Sequence, residues 1–513
     1  MKGKGRAIGT ILFGIVLFIF IFLIRLADWY IDWFSTAGFS IVVYQLRSPL
    51  QGTAGEIMDG FKQQALYTSI LISLALIVIG FFFDCIFNNN DLRISIRINK
   101  RSRDVCIKGS GYRKFKRFLS AVLIIALLSL LVNRVYAVGI PQYVREISDS
   151  STLYEEEYVD PDTVALTFPE QKRNLIILYI ESMEASYMDV ENGGNADVNY
   201  IPELTQLARD NVNFSPSDKL GGFDIYGIGF TMAGLLASSA GKNYNIPVRN
   251  ETANYFSVFL PGVTALGDIL AEHGYHNYFL CGSDGEFGGR EQFYTQHGDY
   301  EILDLEYADE AGYIPHGYHN ESWGYEDTYL YEIAKDELTS IAAAGEPFNF
   351  TMLTVDTHGP AGYVCEKCED QFADQYANVL SCASRQAYDF IRWVQQQDWY
   401  EDTTILIMGD HTSMVAQFMD YSNGYEKQVY DCYVNVADGL DRGSQRTNNR
   451  IFSTLDIFPT TLAVMGVKIE GNRLGLGVNL FSDEPTLPER FGSEHFYEEL
   501  QRNSNFYVRE FIR

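Results

Sequence analysis

The stretch that sets the fold reads Asn174-Leu-Ile-Ile-Leu-Tyr-Ile180 and is followed directly by Glu181. An uninterrupted apolar run of this length predicts a strand buried on both faces, since a half-exposed strand would alternate apolar with polar residues. An unpaired carboxylate is costly to bury at the end of such a strand. Glu181 is therefore either a strand-end charge that caps a helix N-terminus or part of a functional site.

Similar apolar runs alternate with helical patterns in the rest of the chain after residue 172. Further strands are predicted at residues 276–280, 349–355 and 404–408, and helices at residues 202–210, 231–239, 264–273, 327–344 and 377–397. This alternation predicts an α/β domain over residues 172–513, with a mainly parallel sheet between helices.

Acidic and imidazole side chains follow three of the predicted strands. They are Glu181 after the first, Asp356 and His358 after residues 349–355, and Asp410 and His411 after residues 404–408. Ligands bind at the carboxyl ends of the strands in such sheets, so we expect these groups to share one edge. Gly409 leaves room for the backbone before Asp410, and mixed carboxylate and imidazole ligands suit a divalent metal.

A hydroxyl flanked by glycines is the next candidate. The segment Gly227-Ile-Gly-Phe-Thr231-Met-Ala-Gly234 predicts a loop leading into a helix that starts at Thr231. Taken alone, Thr231 would be interpreted as an ordinary helix N-cap. Helix N-termini also bind anions, so a Thr231 hydroxyl activated there by a divalent metal would be able to attack phosphorus.

Three apolar stretches in the first part of the chain predict transmembrane helices at about residues 7–26, 66–87 and 118–138. Each is close to the ~20 residues that cross a hydrocarbon layer as a helix. No small-residue cleavage site follows the first stretch, and two more follow it, so we expect it to be retained rather than removed as a signal peptide. Residues 1–139 are predicted to form a membrane domain.

Basic residues predict the orientation of these helices. Three precede the first stretch and ten lie between the second and the third; they are Lys2, Lys4 and Arg6, then Arg93, Arg97, Lys100, Arg101, Arg103, Lys108, Arg113, Lys114, Lys116 and Arg117. Because basic loops stay in the cytoplasm, the chain after residue 138 is expected outside the cell membrane. The ten cations would otherwise be a nucleic-acid patch, but membrane topology and lipid headgroups account for them more simply.

The charge of the outer region argues against nucleic acid as a partner. Residues 1–138 hold 17 Lys and Arg against 7 Asp and Glu, which leaves 22 basic and 60 acidic residues after them and a net charge near −38. Binding a phosphate backbone depends on cationic neutralisation. A phosphate-bearing substrate would therefore need a local cation or metal.

Five cysteines fall in the region expected outside, where disulfides form. They are Cys281, Cys365, Cys368, Cys382 and Cys432. A disulfide from Cys382 to Cys365 or Cys368 is favoured over a zinc site, because a fourth ligand with suitable spacing is missing.

Residues 140–171 are predicted to be a linker. They contain Pro141, Pro161 and Pro169, an acidic run at residues 155–157 and no clear periodicity. The globular unit is therefore expected to begin near Lys172.

Four motifs resemble, in order and approximate spacing, the lipoteichoic acid synthase and phosphoglycerol transferase I group of the alkaline phosphatase superfamily. They are the 174–182 segment, the Thr231 segment, Asp356-Thr-His358-Gly-Pro and Gly409-Asp410-His411. The segment Ser453-Thr-Leu-Asp-Ile-Phe-Pro-Thr460, with residues 475–480, is similar to the closing part of the wider sulfatase-like fold. The resemblance covers roughly residues 172–482 and includes the plan of membrane helices followed by an outer catalytic domain.

The resemblance implies a role for each matching residue. It assigns coordination of the catalytic metal, manganese in the lipoteichoic acid synthases, to Glu181, Thr231, Asp410 and His411. Zn²⁺ or Mg²⁺ would be the alternative cations. Thr231 would also be the nucleophile, and His358 would contact the substrate. Arg290 matches an arginine that binds phosphoglycerol, a role that a guanidinium fork suits, whereas a surface arginine kept for solubility is the alternative.

Two features separate this chain from the lipoteichoic acid synthases. It has Gly288 where they carry an aromatic residue two positions before the arginine, and three predicted spans where they usually have five. The Thr231 segment and the Gly282-Ser-Asp-Gly-Glu-Phe287 segment look closer to the phosphoglycerol transferase I branch, which decorates glucans.

The activity implied by the resemblance is metal-dependent phosphoglycerol transfer. The group would pass from a membrane lipid such as phosphatidylglycerol, through a phosphothreonine-type intermediate, to a glycan or polyglycerolphosphate acceptor. A phosphoethanolamine transferase and an anchored phosphodiesterase are alternatives within the same fold. A non-catalytic envelope scaffold that binds glycans or lipids is the alternative from another class. A sulfatase is disfavoured, because the Cys/Ser-x-Pro-x-Arg segment that carries its nucleophile is absent from the sequence.

Overall fold

The computed structural model describes residues 2–34, 39, 55–87, 92–98, 101–107, 109–224, 229–245, 258–318, 324–413 and 418–512. The chain divides into two compact units, one within residues 1–35 and 53–142 and the other within residues 36–52 and 143–513.

The helices and strands are numbered in chain order. The helices are α1 Lys2–Phe34, α2 Gly55–Gly60, α3 Thr68–Phe87, α4 Gly109–Ala137, α5 Ile140–Ser148, α6 Leu153–Glu157, α7 Pro202–Asp210, α8 Thr231–Ala240, α9 Leu266–Glu272, α10 Arg290–Gln296, α11 Leu305–Glu310, α12 Asp327–Ala343, α13 Gln375–Val394, α14 Ser444–Thr447, α15 Thr454–Val464, α16 Leu487–Phe491, α17 Ser493–Gln501 and α18 Asn505–Tyr507. The strands are β1 Leu92–Ile98, β2 Arg101–Ile107, β3 Leu166–Thr167, β4 Asn174–Ile180, β5 Gly222–Phe223, β6 His276–Cys281, β7 Glu301–Leu303, β8 Phe348–Leu353, β9 Thr403–Gly409, β10 Val429–Val434, β11 Lys468–Ile469, β12 Arg473–Leu474 and β13 Gly477–Val478.

Among its described residues, the first unit contains three helical segments long and apolar enough to cross a membrane. They are Phe13–Trp33, Met58–Asp84 and Lys114–Ala137. The first extends beyond the predicted end at residue 26, because Asp28 does not interrupt the helix. Its carboxylate accepts hydrogen bonds from Arg25 and Arg134, at 2.9 and 2.5 Å. The ends of α1 and α4 therefore lie side by side, and the placement of the domain boundary at residue 139 stays a prediction.

The basic segment between the second and third apolar helices contains two paired strands. β1 and β2 pair in antiparallel orientation, with Ile94 opposite Val105. The sequence of β1, Leu-Arg-Ile-Ser-Ile-Arg-Ile, alternates apolar with polar residues, which is the pattern of a half-exposed strand. Lys100 and Lys108, two of the predicted cytoplasmic cations, lie outside the described residues.

A seven-stranded sheet forms the centre of the second unit, in the order β5-β10-β9-β4-β8-β6-β7. β4 runs parallel to both of its neighbours, with Ile176 opposite Phe350 of β8 and Ile405 of β9. β6 and β7 extend the parallel part of the sheet. On the other side, β10 is antiparallel to β9, and β5 is antiparallel to β10. The predicted α/β fold with a mainly parallel sheet is confirmed. β5, β7 and β10 are strands that the sequence reasoning did not find.

Apolar helices cover both faces of this sheet. On β4, Leu175 and Tyr179 pack into one apolar cluster with α8, α9 and α15, while Ile176 and Ile180 pack into another with α7, α12 and α13. The need to bury both faces explains why β4 shows no polar alternation. The acidic group nearest to this strand, Glu181, stands directly after its last residue.

The structure corrects the expectation of a linker at residues 140–171. Much of this segment belongs to the second unit, where β3 pairs with β11. Tyr154 is only 3% exposed and packs edge-on against Tyr507 and Phe511. The globular unit thus begins well before Lys172. Its short elements gave no periodic signal, because their partners lie near the C-terminus.

Candidate metal centre

Two carboxylates and one imidazole meet at the carboxyl edge of the sheet. Glu181 follows β4, and Asp410 and His411 follow the neighbouring parallel strand β9. One potential ligand atom from each of the three lies within 4.8 Å of the other two. All three side chains are buried, with exposures of 3%, 0% and 1%. The parallel arrangement of β4 and β9 thus brings together the groups that the strand ends predicted.

The spacing of these three groups suits a small cation. His411 Nε2 lies 3.4 Å from Glu181 Oε1 and 3.5 Å from Asp410 Oδ2. A direct hydrogen bond between charged groups would be shorter, at about 2.7–2.9 Å. Two ligands of a tetrahedral cation with bonds of about 2.1 Å lie about 3.4 Å apart. The side chains are therefore separated as ligands of one shared ion would be.

One oxygen of Asp410 lacks the partner that a cation would supply. Asp410 Oδ1 accepts hydrogen bonds from the backbone N–H groups of Ser182 and His411, at 2.8 and 2.9 Å. Asp410 Oδ2 is buried without a hydrogen-bond partner among the described residues, an arrangement that is costly for a carboxylate. His411 Nδ1 lies 2.8 Å from the Thr412 carbonyl, to which it donates, so Nε2 is the nitrogen that faces the carboxylates and would be the metal ligand. The residues present fit a divalent cation.

The pKa values of Glu181, Asp410 and His411 also show that a positive charge between these side chains is favoured. Burial and the charge of Glu181 raise the pKa of Asp410 to about 7. Burial raises the pKa of Glu181 as well, but the His411 imidazole outweighs it and the net pKa is lowered. Burial lowers the pKa of His411, whereas Asp410 and Glu181 raise it to about 10. Two buried carboxylates thus hold a proton on the imidazole wherever no metal neutralises them.

Thr231 is the first residue of α8, and its hydroxyl faces the cluster. Thr231 Oγ1 donates to Glu181 Oε2 at 3.3 Å. The N-cap residue is Phe230, so Thr231 is not the helix cap that the sequence offered as its alternative role. The N-terminus of α8 and its dipole lie beside this hydroxyl, an arrangement that favours anions. Gly227 and Ile228, which belong to the same motif, lie outside the described residues.

Close packing of α8 against the end of β9 fixes Thr231 relative to Asp410. A Cβ atom added to Gly234 would lie 1.9 Å from the carbonyl oxygen of Asp410. A Cβ added to Gly409 would likewise lie 2.2 Å from the carbonyl oxygen of Met183, which agrees with the role predicted for Gly409. Both glycines are needed because backbone approaches backbone at these points.

Asp356 and His358 differ in their relation to the cluster. Asp356 is not among the grouped ligands of the described chain; its buried oxygens lack hydrogen-bond partners there, and it lies beside Asp327, which accepts the Asp356 N–H. Burial lowers the pKa of His358; the Glu181 carboxylate opposes this, and the His411 and Arg290 charges add to the lowering. His358 Nδ1 lies 2.8 Å from the Gly359 carbonyl. His358 is thus a neutral imidazole within electrostatic reach of Glu181.

Arg290 is buried at the start of α10, where most of its donors are already used. Its Nε donates to the Phe287 carbonyl at 3.0 Å, and one terminal nitrogen donates to Ser283 Oγ and the Asp284 carbonyl at 3.0 and 2.7 Å. Only the other terminal nitrogen has no partner among the described residues. Arg290 therefore holds the 283–287 turn in place. The two-pronged contact with a phosphodiester that the sequence suggested would require these bonds to break.

Sequence reasoning missed the hydroxyl groups that hold Glu181 in place. Ser182 Oγ donates to Glu181 Oε1 at 2.7 Å, and Thr357 Oγ1 donates to the Glu181 carbonyl at 2.5 Å. The Glu181 N–H donates to Thr354 Oγ1 at 3.1 Å. Ser182 has a φ of 53°, a left-handed conformation that accompanies the contact of its own N–H with Asp410. The available signal was a hydroxyl residue directly after each strand-end acid, Glu181 and Asp356.

Comparisons with known proteins agree with the resemblance seen in the motifs. The sulfatase family model matches residues 173–467, and the chain belongs to the sulfatase family. The chain is 31% identical over 337 residues to phosphoglycerol transferase I of Shigella flexneri and of Escherichia coli (strain SMS-3-5), which covers 63% of this chain and 42% of each relative. Among solved structures it is similar to a lipoteichoic acid synthase from Listeria monocytogenes, with 18% identity over 62% of this chain and 79% of that chain and a TM-score of 0.47.

The relatives confirm the predicted resemblance to phosphoglycerol transferase I. The chain spans less than half the length of these relatives, 42% in each case. Family membership extends over the sheet and over the segments that carry Glu181, Asp410 and His411, since all of them fall within residues 173–467.

Proposed function

We propose that this chain is a metal-dependent transferase that moves phosphoglycerol from a membrane lipid, phosphatidylglycerol, to a glycan or polyglycerolphosphate acceptor outside the cell membrane. The observation that carries the proposal is the Thr231 hydroxyl, 3.3 Å from a carboxylate oxygen of Glu181 in a buried cluster suited to a metal. The 31% identity to phosphoglycerol transferase I supports the choice of transferred group.

The residues proposed to hold the cation are Glu181, Asp410, His411 and Thr231. We propose Mn²⁺ as the cation, and Zn²⁺ or Mg²⁺ as the alternatives to be tested. When bound, such a cation lowers the pKa of a coordinated hydroxyl and neutralises charge on phosphate oxygens. Cation binding also removes the need for a proton on His411, whose pKa is raised to about 10 by the same two carboxylates.

In the first proposed step, Thr231 Oγ1 attacks the phosphorus of the lipid. A bond forms between Oγ1 and phosphorus, and the bond between phosphorus and the diacylglycerol oxygen breaks. The hydroxyl proton of Thr231 passes to the leaving diacylglycerol oxygen. His358 is the proposed carrier of this proton, because its lowered pKa keeps it neutral and its Nδ1 contact with Gly359 makes Nε2 the accepting nitrogen.

In the second proposed step, an acceptor hydroxyl attacks the same phosphorus. The bond to Thr231 Oγ1 breaks, the acceptor proton returns to Oγ1 through His358, and phosphoglycerol remains on the acceptor. The N-terminus of α8 favours the anionic phosphate oxygens in both steps. The donor nitrogen of Arg290 that has no partner among the described residues is the proposed contact for the phosphoglycerol group.

A membrane donor is consistent with the three apolar helical segments. We propose that the N-terminus and the basic segment between the second and third of these helices lie in the cytoplasm, and that the second unit lies outside. A lipid donor and an anchored active site would share one membrane surface, which raises their effective concentration.

The test uses the full-length protein in detergent with Mn²⁺ and phosphatidylglycerol labelled in its headgroup glycerol. We expect an adduct with the mass of a glycerophosphoryl group on the peptide that contains Thr231. The Thr231→Ala variant should lose this adduct and the transfer to acceptor while keeping its thermal unfolding midpoint. Thr339→Ala is the matched control, because Thr339 is exposed on α12 and its hydroxyl donates to the Lys335 carbonyl of the same helix.

Each remaining outcome points to a different activity. An adduct that persists in Thr231→Ala would remove Thr231 from the nucleophile role. An adduct formed only from phosphatidylethanolamine would favour a phosphoethanolamine transferase. Release of glycerophosphate to water in the presence of acceptor would favour an anchored phosphodiesterase, and binding of glycan or lipid without any turnover would favour a scaffold.

A further inference from the structure

A second group of potential ligands consists entirely of sulfur. Cys365 and Cys368 lie in the segment between β8 and α13, and Cys382 lies on α13. One sulfur atom from each lies within 4.8 Å of the other two. None of the three is joined in a disulfide. Three converging thiols that are not joined to one another fit a shared metal ion, because each thiolate is able to act as a metal ligand.

The distances between the sulfur atoms match a shared tetrahedral metal. Cys365 Sγ lies 3.6 Å from Cys368 Sγ and 3.7 Å from Cys382 Sγ. Zinc–sulfur bonds of about 2.3 Å place two thiolates of a tetrahedral site about 3.8 Å apart. A disulfide joins two sulfur atoms at about 2.0 Å and would leave the third thiol of this cluster without a partner. A metal uses all three.

The surroundings of the cluster are those of a metal-thiolate site. The Cys368 N–H donates to the Cys365 carbonyl at 3.1 Å, so the two cysteines lie on one tight turn. Gln386, one helical turn after Cys382 on α13, places Nε2 3.8 Å from Cys365 Sγ and 3.6 Å from Cys382 Sγ. Such N–H donors stabilise the negative charge that thiolate ligands carry. Gln386 is buried with the two sulfur atoms, while Cys368 is partly exposed and gives the site a solvent-facing side.

We propose that Cys365, Cys368 and Cys382 bind one thiophilic divalent cation of the Zn²⁺ class, with solvent in the fourth position. This site is separate from the Glu181 cluster and does not depend on the function proposed above. Its role is to hold the connection that carries Cys365 and Cys368 against α13. That connection is also tied to the end of β8, where the Tyr363 N–H donates to the Asp356 carbonyl at 2.7 Å. Closing a loop through a metal stabilises the folded state, because the unfolded chain holds no preformed site.

The experiment loads the purified full-length protein with Co²⁺ in detergent without reductant. Sulfur ligands give an intense thiolate-to-cobalt charge-transfer absorption in the near ultraviolet, and the Glu181 cluster has only oxygen and nitrogen ligands. We expect this absorption in the wild type, and zinc analysis before cobalt loading should show one equivalent more in the wild type than in Cys365→Ser. Cys365→Ser, Cys368→Ser and Cys382→Ser should each lose the absorption. Cys432→Ala, at a buried thiol on β10, and Glu181→Gln should both keep it.

The wild-type measurement keeps the proposal falsifiable even if the cysteine variants fail to fold. An absent charge-transfer absorption overturns it. So does an intact mass that is two hydrogens short, restored by reductant and mapped to two of these three cysteines, since that result establishes the disulfide. Three thiols that all react with an alkylating reagent in the zinc-loaded protein also overturn it.

Discussion

The two groups of potential metal ligands in the described chain differ in how the sequence assembles them. The Glu181 cluster joins β4 to β9, and its members come from distant parts of the chain. The cluster of Cys365, Cys368 and Cys382 comes from one connection and the helix that follows it. The first therefore depends on the packing of the central sheet and of α8 against it, whereas the second depends on local chain geometry.

The clusters also differ in ligand chemistry. Carboxylate and imidazole suit harder cations such as Mn²⁺ and Mg²⁺ as well as Zn²⁺, whereas three thiolates select softer ions. A change confined to the Glu181 cluster or to the packing of α8 against β9 should therefore remove the harder ion and the activity, and leave the thiolate site loaded. Four substitutions test this separation.

The largest effect is expected from Glu181→Gln, which keeps the size of the side chain and removes its charge. Glu181 contacts Thr231, Ser182 and His411, so its charge influences the whole cluster. Loss of even an outer partner of a metal ligand costs about 10–100-fold, so transfer activity should fall by at least about 10²-fold. Metal analysis should show the loss of bound Mn²⁺ while the thiolate-to-cobalt absorption persists.

The control for this change is Glu332→Gln, an exposed carboxylate on α12 that pairs with Lys335. It should leave both metals and the activity unchanged. If Glu181→Gln keeps its Mn²⁺ with unchanged affinity, Glu181 is not a ligand and the proposed centre is wrong.

Gly234→Ala is expected to have the next largest effect, without touching any ligand side chain. The added methyl would lie 1.9 Å from the Asp410 carbonyl oxygen, so α8 and the end of β9 must separate. A misplacement of about 1 Å at reacting groups can cost about 10²-fold in rate. Initial rates at saturating donor should fall by about that factor, while the thiolate site stays loaded. Gly443→Ala is the control, because its methyl meets only Asp441 Oδ1, at 3.2 Å.

Activity that is unchanged in Gly234→Ala would show that the close approach of α8 to β9 does not position Thr231. If Gly234→Ala and Gly443→Ala both lost activity and both showed a lower unfolding midpoint, the cause would instead be general destabilisation.

The same contrast shows how much the sequence could predict. The bounds of β4 and α7, at residues 174–180 and 202–210, were predicted correctly because a buried apolar run and an amphipathic repeat are local signals. β10 was missed because Asp431 interrupts its apolar run. That carboxylate is fully buried and accepts from the Phe214 N–H at 3.1 Å, a partner that no local pattern reveals.

Part of the candidate site was predictable for the same reason. Glu181 and Asp410 stand at strand ends, and parallel strands share an edge, so their meeting followed from the fold class. The contact of Gly234 with Asp410 and the hydrogen bond from Thr357 to Glu181 could not be predicted from the fold class. They join segments whose relative positions are set only by tertiary packing. The donors of Arg290 that hold the 283–287 turn were hidden for the same reason.

Asp356→Asn should have a smaller effect, seen in stability and its pH dependence. Burial and the neighbouring Asp327 raise the pKa of Asp356. The folded state therefore keeps a proton that the unfolded chain releases above about pH 3.9, so this group makes the wild type less stable as pH rises. Asparagine cannot ionise. Between about pH 5 and pH 8 the variant should gain stability relative to the wild type, on the order of 1 kcal/mol or more.

Chemical unfolding at several pH values measures this difference. Both metal sites should stay loaded, since Asp356 belongs to neither group of ligands. Parallel stability curves for variant and wild type would mean that Asp356 is ionised in the folded protein, and that a partner not yet identified satisfies its oxygens.

The smallest effect is expected from Glu157→Gln, a residue that belongs to neither cluster. Glu157, at the end of α6, accepts two hydrogen bonds from Arg490, at 2.6 and 2.8 Å, and lies 3.1 Å from Arg473. Because Arg490 is partly exposed, the loss should be only about 1 kcal/mol. Burial raises the pKa of Glu157, but Arg490 lowers it by more than burial raises it, so the net pKa lies below its usual value. The stabilisation from this pair is therefore lost as the pH falls through that lowered pKa.

The free energy of unfolding at neutral pH should show this loss in Glu157→Gln. The control is Glu156→Gln, at an exposed neighbour on the same helix, which should not show it. Both metals and the transfer rate should be unchanged, because α6 supplies no ligand to either cluster. A loss of Mn²⁺ in Glu157→Gln would contradict the independence of the two clusters. It would mean that residues 153–157 support the sheet edge as well as the C-terminal helices, and that the Glu181 cluster depends on packing across the whole second unit.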